Sequence, residues 1–291
     1  MNGIVNVLKP TGMTSHDVIS RLRKITSIKK IGHAGTLDPN ASGVLPVCIG
    51  KATRLSDYLM GYDKAYVFEL KLGLMTDTYD IYGKTITENT DLQPIEHDTV
   101  AAVIRSFQGE SWQIPPIYSA LKVEGKKLYE YARQDTGVDI KQRRINIRQI
   151  ELIEYNFPLL RIKAVVTKGT YIRSLCHDIG QALGTNAVMT VLVRIASKNL
   201  NIEDSFTLEQ IDDMFRLNDF SFLLGYDKVL DLESIYLDDD SIGKLMNGIR
   251  IPVVKEKNYP EYFYIRNLES MILGIGEVID SQHVKFKKLL I

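Results

Sequence analysis

A glycine-rich stretch near the N-terminus, "GHAGTLDPNASG" at 32–43, contains a single acidic residue, Asp38. Its glycines permit positive φ angles and a close approach of the backbone to a ligand, and Pro39 disfavours the α region for Asp38. Such a loop can present one carboxylate on a rigid support, as nucleophilic or acid–base chemistry requires. A turn with a solvated or capping aspartate explains the composition too. A phosphate-binding loop is a weaker alternative, because the motif spacings are absent.

Other groupings that could do chemistry are sparse. The five histidines are scattered, and the two cysteines, Cys48 and Cys176, are far apart in apolar surroundings. This pattern predicts neither a disulfide scaffold nor a metal site. His177 is interpreted as a structural residue on a helix, and there is no G-x-S-x-G nucleophile elbow. A glycosidase with two carboxylates stays open, since sequence does not give the distance between two acids.

Charge is unevenly distributed although the formal net charge of the 291 residues is zero. Residues 1–60 carry a net +5, residues 119–148 a net +4 and residues 241–291 a net +3, whereas residues 203–240 carry −10. A polyanion would therefore contact the first half and the tail and avoid 203–240. Solvated surfaces are the alternative that charge alone does not exclude.

Composition favours an ordinary globular protein, with 45% hydrophobic and 25% charged residues. The N-terminus does not resemble a signal peptide, and no apolar run approaches the length of a membrane span. We therefore expect a reduced, cytoplasmic protein that does not enter a membrane.

Strand-like and helical patterns interleave along the chain. "GIVNVLKP" at 3–10 predicts a strand, and "TSHDVISRLRKIT" at 14–26 predicts a helix whose Thr14 and Asp17 form a capping box. "KAYVFELKLG" at 64–73 alternates as a half-buried strand does, and "YIRSLCHDIGQALG" at 171–184 has helical periodicity. Without regular βαβ units, the predicted fold class is α+β.

The last third divides into two parts. The acidic segment 203–240 is interpreted as a polar connection. Four stretches after it predict short strands: "IGKLMNGIRIPV" at 242–253, "YFYIRN" at 262–267, "MILGIGEVI" at 271–279 and "HVKFKKLL" at 283–290. We therefore expect a larger domain over 1–231 and a small β-rich domain over 232–291.

The glycine-rich stretch, extended to "GHAGTLDPNASGVLPVCIGKATRL", resembles the signature of the bacterial tRNA pseudouridine-55 synthase family. The likeness continues in order through "LKPTGMTSHD", "KAYVFELKLGLMTDTYDIYG", "QIPPIYSALKVEGKKLYEYAR" and "KGTYIRSLCHDIGQALG", covering about residues 3–200. It implies the pseudouridine synthase fold, a mixed and largely antiparallel sheet flanked by helices. It also implies an isomerase that converts the T-loop uridine of tRNA to pseudouridine after flipping the base.

The resemblance assigns roles residue by residue. Asp38 matches the catalytic aspartate. Tyr66 matches a tyrosine that stacks on uracil and is a candidate base for the C5 proton, and Arg173 matches the arginine that pairs with the aspartate. Supporting positions of the active site match Tyr171, Asp80, Leu192 and Lys9.

Contact with RNA is implied at further positions. His33 matches a histidine near the place that the flipped base vacates. The segment 108–142 matches an insertion that closes over the T loop, and it mixes tyrosines with cations. The RNA-binding candidates there are Lys122, Lys126, Lys127 and Arg133.

The resemblance implies no cofactor and no metal, and we expect a monomer without an obligatory protein partner. Two alternatives remain. A tRNA-binding or folding module with little or no catalysis would gain nothing from an anion that faces phosphates. Guide-dependent relatives that act on other RNAs carry extra terminal segments, which we do not expect here.

Overall fold

The computed structural model describes residues 1–119, 121–123, 125–134, 137–253 and 259–291, with the side chains of Lys127 and Arg133 outside the described part. Within these residues, no helix is both long enough and apolar enough to cross a membrane.

The chain forms 19 strands and seven α-helices within the described ranges. The strands are β1 Gly3–Lys9, β2 Ile31–His33, β3 Ser42–Ile49, β4 Lys64–Leu72, β5 Leu74–Thr76, β6 Thr85–Glu88, β7 Gly109–Gln113, β8 Lys122–Val123, β9 Lys126–Lys127, β10 Arg143–Asn156, β11 Leu159–Val166, β12 Ala187–Ser197, β13 Leu200–Asn201, β14 Leu223–Leu224, β15 Ser234–Tyr236, β16 Ile251–Pro252, β17 Tyr262–Arg266, β18 Ile272–Ile279 and β19 His283–Leu289. The helices are α1 Ser15–Thr26, α2 Ser56–Met60, α3 His97–Ser106, α4 Leu128–Arg133, α5 Ile172–Ala182, α6 Leu208–Arg216 and α7 Asp239–Met246.

A ten-stranded sheet runs in the order β14-β1-β3-β12-β4-β11-β10-β7, with β2 beside β3 and β13 beside β12. Its pairings are antiparallel except between β3 and β12, which run parallel where Ser42 and Gly43 face Val193 and Arg194. The predicted α+β class with a mixed, largely antiparallel sheet is confirmed.

Local patterns predict several of these elements correctly. Thr14 accepts a hydrogen bond from the amide of Asp17, whose carboxylate accepts from the Thr14 amide, so the capping box starts α1. On β4 every second side chain from Lys64 to Leu72 is buried, as the alternation predicts. Helix α5 begins at Ile172, with Tyr171 in the N-cap position.

The acidic segment 203–240 differs from the predicted polar connection. It contains α6, whose Leu208 and Ile211 are buried beneath the sheet's first strands, and β14, which pairs with β1. A capping box between Thr207 and Gln210 starts the helix. The interpretation as a connection was wrong because the apolar residues between the acids follow a helical spacing.

The C-terminal part forms a five-stranded sheet in the order β15-β17-β18-β19-β16. "IGKLMNGIRIPV" was predicted as a strand, but most of its first half lies in α7, capped by Asp238, and only Ile251–Pro252 forms a strand. Tyr264, Ile275 and Leu290 of this part share an apolar cluster with Ile4 and Val44 of the large sheet. The domain boundary at residue 231 stays a prediction.

Candidate active site

Asp38 lies in the loop between β2 and β3. The ammonium group of Lys9 holds this loop through hydrogen bonds to its main-chain carbonyls. Lys9 is fully buried at the end of β1. Its Nζ donates to three carbonyl oxygens, those of Pro10 at 2.7 Å, Pro39 at 3.1 Å and Ala41 at 2.7 Å. Burial lowers the pKa of Lys9 to about 8, against the opposing effect of the nearby Asp38 carboxylate. The predicted support of the catalytic loop by Lys9 therefore has a geometric basis.

Two side chains that the sequence did not suggest hold the same loop. Ser15 Oγ accepts from the Leu37 amide at 2.9 Å and donates to the Leu37 carbonyl at 3.2 Å. Arg194 on β12 donates through Nη2 to the Gly35 carbonyl at 3.1 Å and through Nε to the Val44 carbonyl at 2.6 Å. A signal for Arg194 was present, because it is a lone charge within the apolar run "TVLVRIA".

Arg173 and Asp38 form an ion pair across 135 residues of sequence. Arg173 Nε lies 2.9 Å from Asp38 Oδ2, and Nη2 donates to Oδ1 at 3.4 Å. The arginine side chain is 8% exposed, whereas the aspartate side chain is 38% exposed. The guanidinium thus fixes the orientation of a carboxylate that remains accessible from solvent.

The guanidinium of Arg173 also binds two other segments of the chain. Nη1 donates to the Thr78 carbonyl at 3.1 Å and lies 3.7 Å from Asp80 Oδ2, while Nη2 also donates to the Tyr118 carbonyl at 2.9 Å. Asp80 is itself held by hydrogen bonds from Thr78 Oγ1 at 2.8 Å and the Tyr82 amide at 3.1 Å. The structure therefore brings Asp38, Arg173 and Asp80 together.

Tyr66 and Leu192 lie on the neighbouring strands β4 and β12. Both are largely buried, at 9% and 8% exposure, and both belong to the apolar cluster that contains Leu37 and Ala41 of the Asp38 loop. They place an apolar surface next to the loop, as a pocket for a pyrimidine ring would need. Their roles toward a base stay predictions.

Tyr171 precedes α5 and is tied to the end of β7. Its amide donates to Gln113 Oε1 at 2.8 Å, and Gln113 Nε2 donates back to its carbonyl at 3.1 Å. These two bonds fix the start of the helix that carries Arg173. Gln113 was not suggested as a site residue by the sequence.

His33, the predicted RNA contact, is the last residue of β2 and is half-buried. Burial lowers its pKa, and the positive charge of Arg194 and then that of His16 act in the same direction. Among the described residues, Nδ1 of His33 is buried without a hydrogen-bond partner. His33 thus stands at the end of the strand that leads into the Asp38 loop, and its ring favours the neutral form more than an exposed histidine does.

The structure describes the side chains of two of the four predicted RNA-binding cations, Lys122 and Lys126. Lys122 and Lys126 are exposed on the hairpin of β8 and β9, and Lys126 Nζ is 5.9 Å from the centre of the Tyr131 ring. The side chains of Lys127 and Arg133 lie outside the described residues. In the part that the structure describes, no group of three or more His, Cys, Asp or Glu side chains is arranged to hold a metal ion.

Comparison with known proteins shows which family the chain belongs to. Residues 23–172 match the model of the TruB family pseudouridylate synthase N-terminal domain. The chain belongs to the TruB family of pseudouridylate synthases. Residues 173–231 match the model of the tRNA pseudouridylate synthase B C-terminal domain. The chain is therefore an enzyme, an isomerase that forms pseudouridine.

Relatives with curated names are similar to this chain over its full length. Two of them are called tRNA pseudouridine synthase B: that of Clostridium tetani is 42% identical and covers 100% of both chains, and that of Caldanaerobacter subterraneus is 42% identical and covers 99% of both. Among solved structures, a chain of a Cbf5–Nop10–Gar1 complex superposes with a TM-score of 0.76 at 26% identity, covering 99% of this chain and 85% of that one.

Proposed function

We propose that this TruB-family enzyme converts the T-loop uridine of tRNA to pseudouridine, and that Asp38 is its catalytic nucleophile or base. The observation that carries the proposal is the Asp38–Arg173 pair, in which a buried guanidinium holds a solvent-accessible carboxylate at 2.9 Å. The names of the full-length relatives support tRNA as the substrate.

The atoms of the reaction balance without a further reagent. The C1′–N1 glycosidic bond of the uridine breaks while Asp38 acts on the ribose, either by bonding to C1′ or by removing a proton to give a glycal. The freed uracil turns over and C5 bonds to C1′, as the Asp38–C1′ bond breaks or, on the glycal route, as Asp38 returns the proton to the ribose. N1 takes up a proton in place of the ribose. A base then removes the proton from C5, and Tyr66, buried in the apolar cluster beside the loop, is our candidate for it.

The supports of the loop have a defined part in this proposal. Lys9 binds the carbonyls of Pro39 and Ala41, which follow Asp38 in the loop, so the backbone next to the carboxylate is fixed before substrate arrives. A preorganised group need not be reoriented in the transition state, which is the advantage of holding it on a rigid loop.

RNA binding is assigned to the basic segments. We propose that His33 fills the space vacated by the flipped uridine and that the exposed Lys122 and Lys126 neutralise phosphates of the T loop. Lys127 and Arg133 remain candidates from sequence for the same task. The net +3 of residues 241–291 supports RNA contact by the C-terminal sheet as well.

We further propose a cytoplasmic monomer that needs neither a cofactor nor a protein partner. The two cysteines are buried as free thiols, which suits a reducing compartment. Light scattering of the purified chain, with activity measured on the same sample, tests this. A dimer mass, or activity only after a cell extract is added, would contradict the proposal.

The central experiment uses an unmodified tRNA transcript labelled as [5-³H]uridine, with wild type and Asp38→Asn. We expect tritium release by wild type, none by the variant, and equal tRNA binding by both. Binding without release by wild type would leave the alternative, a tRNA-binding or folding module. Release by both would show that the Asp38 loop is not the reacting site.

A further inference from the structure

Tyr79 has an unusual backbone conformation beside the Asp38–Arg173 pair. Its φ is +60°, in the left-handed region that a bulky aromatic residue rarely adopts. Such strain persists only where the surrounding structure holds the residue in place, and it is concentrated near functional sites. The Tyr79 ring stacks on the His177 ring, with 4.3 Å between centroids and 10° between planes.

The stack joins the Tyr79 turn to the helix that carries Arg173. The two neighbours of Tyr79 both contact the guanidinium, Thr78 through its carbonyl at 3.1 Å and Asp80 through its carboxylate at 3.7 Å. His177 lies four residues after Arg173 on α5, so both face the same side of the helix one turn apart. The turn therefore docks on α5 at two places, the guanidinium and the His177 ring.

The same turn is also bound to β12. The Met189 amide donates to the Tyr79 carbonyl at 3.0 Å, and the Ile81 amide donates to the Met189 carbonyl at 2.9 Å. Leu192 follows on this strand. Tyr79 thus lies where the segments bearing Asp80, Arg173 and Leu192 meet.

We propose that Tyr79, stacked on His177, is a positioning residue that holds the Thr78–Asp80 edge against Arg173 and so fixes the guanidinium toward Asp38. This inference rests on the proposed role of the Asp38–Arg173 pair. The contact between Asp80 and Arg173 is the longest of those around the guanidinium, at 3.7 Å, so a small shift of the turn breaks it first.

The test separates the ring from the backbone. Tyr79→Phe keeps the stack, whereas Tyr79→Asn removes it with a residue that tolerates a positive φ. His177→Ala removes the stack from the other side. Each variant is assayed for tritium release in single turnover, tRNA affinity and melting temperature. Wild type and Asp38→Asn are assayed alongside. The single variant Asp80→Asn and the double variant Tyr79→Asn/Asp80→Asn complete a double-mutant cycle.

We expect Tyr79→Asn and His177→Ala to lower the single-turnover rate about 10-fold, since small misplacements of catalytic groups cost rates of that order, with tRNA affinity unchanged. Tyr79→Phe should match wild type. The double variant should lose less than the product of the two single losses, because both changes act on Arg173. A purely structural role would instead give multiplicative losses that follow the melting temperature.

The opposite results overturn the inference. A Tyr79→Asn enzyme as fast as wild type, a Tyr79→Phe enzyme as slow as Tyr79→Asn, or a loss confined to tRNA affinity would each show that the stack does not position Arg173. If wild type itself releases no tritium, the proposed function fails and this inference fails with it. Release by wild type and none by Asp38→Asn, with normal Tyr79→Asn, removes only the inference.

Discussion

Replacement of Arg173 by lysine keeps the positive charge but removes the forked geometry of the site. The guanidinium spans Asp38, the Thr78 carbonyl and the Tyr118 carbonyl through three different nitrogen atoms. A lysine has one nitrogen at the end of a flexible stem and binds as a point charge. Arg173→Lys therefore tests whether orientation of Asp38, rather than charge beside it, is what the site requires.

The expected magnitude follows from the bonds that are lost. Each hydrogen bond to a charged group contributes about 1.5–3 kcal/mol, and a lysine ammonium cannot replace both contacts to the Asp38 carboxylate. Loss of one such bond from the transition state, at about 2 kcal/mol, slows the reaction about 30-fold. The partly buried carbonyls of Thr78 and Tyr118, left without their donors, should also lower the melting temperature, so the assay is run well below it.

The assay is tritium release in single turnover with enzyme in excess over labelled tRNA. This measures the chemical step and excludes product release. Arg161→Lys is the matched control, because Arg161 pairs with Glu69 and Glu154 on the sheet surface with its side chain 48% exposed. We expect the control to match wild type. An Arg173→Lys rate within about threefold of wild type would refute the reasoning, because it corresponds to less than one hydrogen bond.

Three more predictions concern the supports of the Asp38 loop. Because burial lowers the pKa of Lys9 to about 8, we expect the single-turnover rate of wild type to fall as the pH rises through 8, and the rate of Lys9→Met not to fall. Lys64→Met is the control, because burial lowers the pKa of Lys64 to about 8 too, and it should behave as wild type does. The unfolded chain binds the Lys9 proton more tightly than the folded chain, so the free energy of unfolding should rise with pH between about 8 and the ordinary lysine pKa of 10.5. Urea titrations of Lys9→Met should lack part of this rise. Gly43→Ala should lower the free energy of unfolding by about 3 kcal/mol or more, since a Cβ there meets the next strand's backbone at 2.2 Å with φ at +105°; Gly12→Ala, at φ +80° with open space around it, should lose only about 1 kcal/mol. Ser15→Ala leaves a buried amide of the loop without its acceptor, so we expect a loss of about 1–3 kcal/mol in urea titrations and a slower single turnover.

Opposite outcomes are measurable for each of the three. A rate that is flat across pH 8 in wild type would remove the link between the Lys9 proton and the loop. Equal losses in Gly43→Ala and Gly12→Ala would mean that the close approach of β12 is relieved at little cost. An unchanged rate in Ser15→Ala would show that the Lys9 and Arg194 contacts suffice to hold Asp38.

The parts of the fold and of the site that the sequence predicts correctly are those that depend on short, local patterns. The glycine-rich loop around Asp38, the capping box of α1 and the alternation of β4 each depend on residues within one element. The α7 error was local too. Ile242, Leu245 and Met246 follow Asp238 at helical spacing, but the glycines and the asparagine among and after them favoured a strand interpretation.

The supports that sequence did not suggest depend on partners far along the chain. Arg194 reaches the Gly35 carbonyl across 159 residues, and this contact exists only because β3 and β12 lie side by side in the sheet. Ser15 reads as an ordinary first residue of a helix until Leu37 is placed beside it. No periodicity or capping rule contains the pairing of distant strands. The sequence can mark Arg194 as a lone charge in an apolar run, but the carbonyls that it binds appear only in the folded structure.

Three buried cations lie around Asp38, namely Lys9, Arg173 and Arg194, and they bind different groups, which the sequence does not reveal. Lys9 and Arg194 donate to main-chain oxygens of the loop and of β3, whereas Arg173 donates to the Asp38 carboxylate itself. The hydrogen bonds that Lys9 and Arg194 make to carbonyls offset part of the cost of burying their charges. Rigidity of the loop and orientation of the carboxylate therefore rest on different residues. It follows that variants of Lys9 and Arg194 should change stability and rate together, while variants of Arg173 should change the rate by more than their effect on stability accounts for.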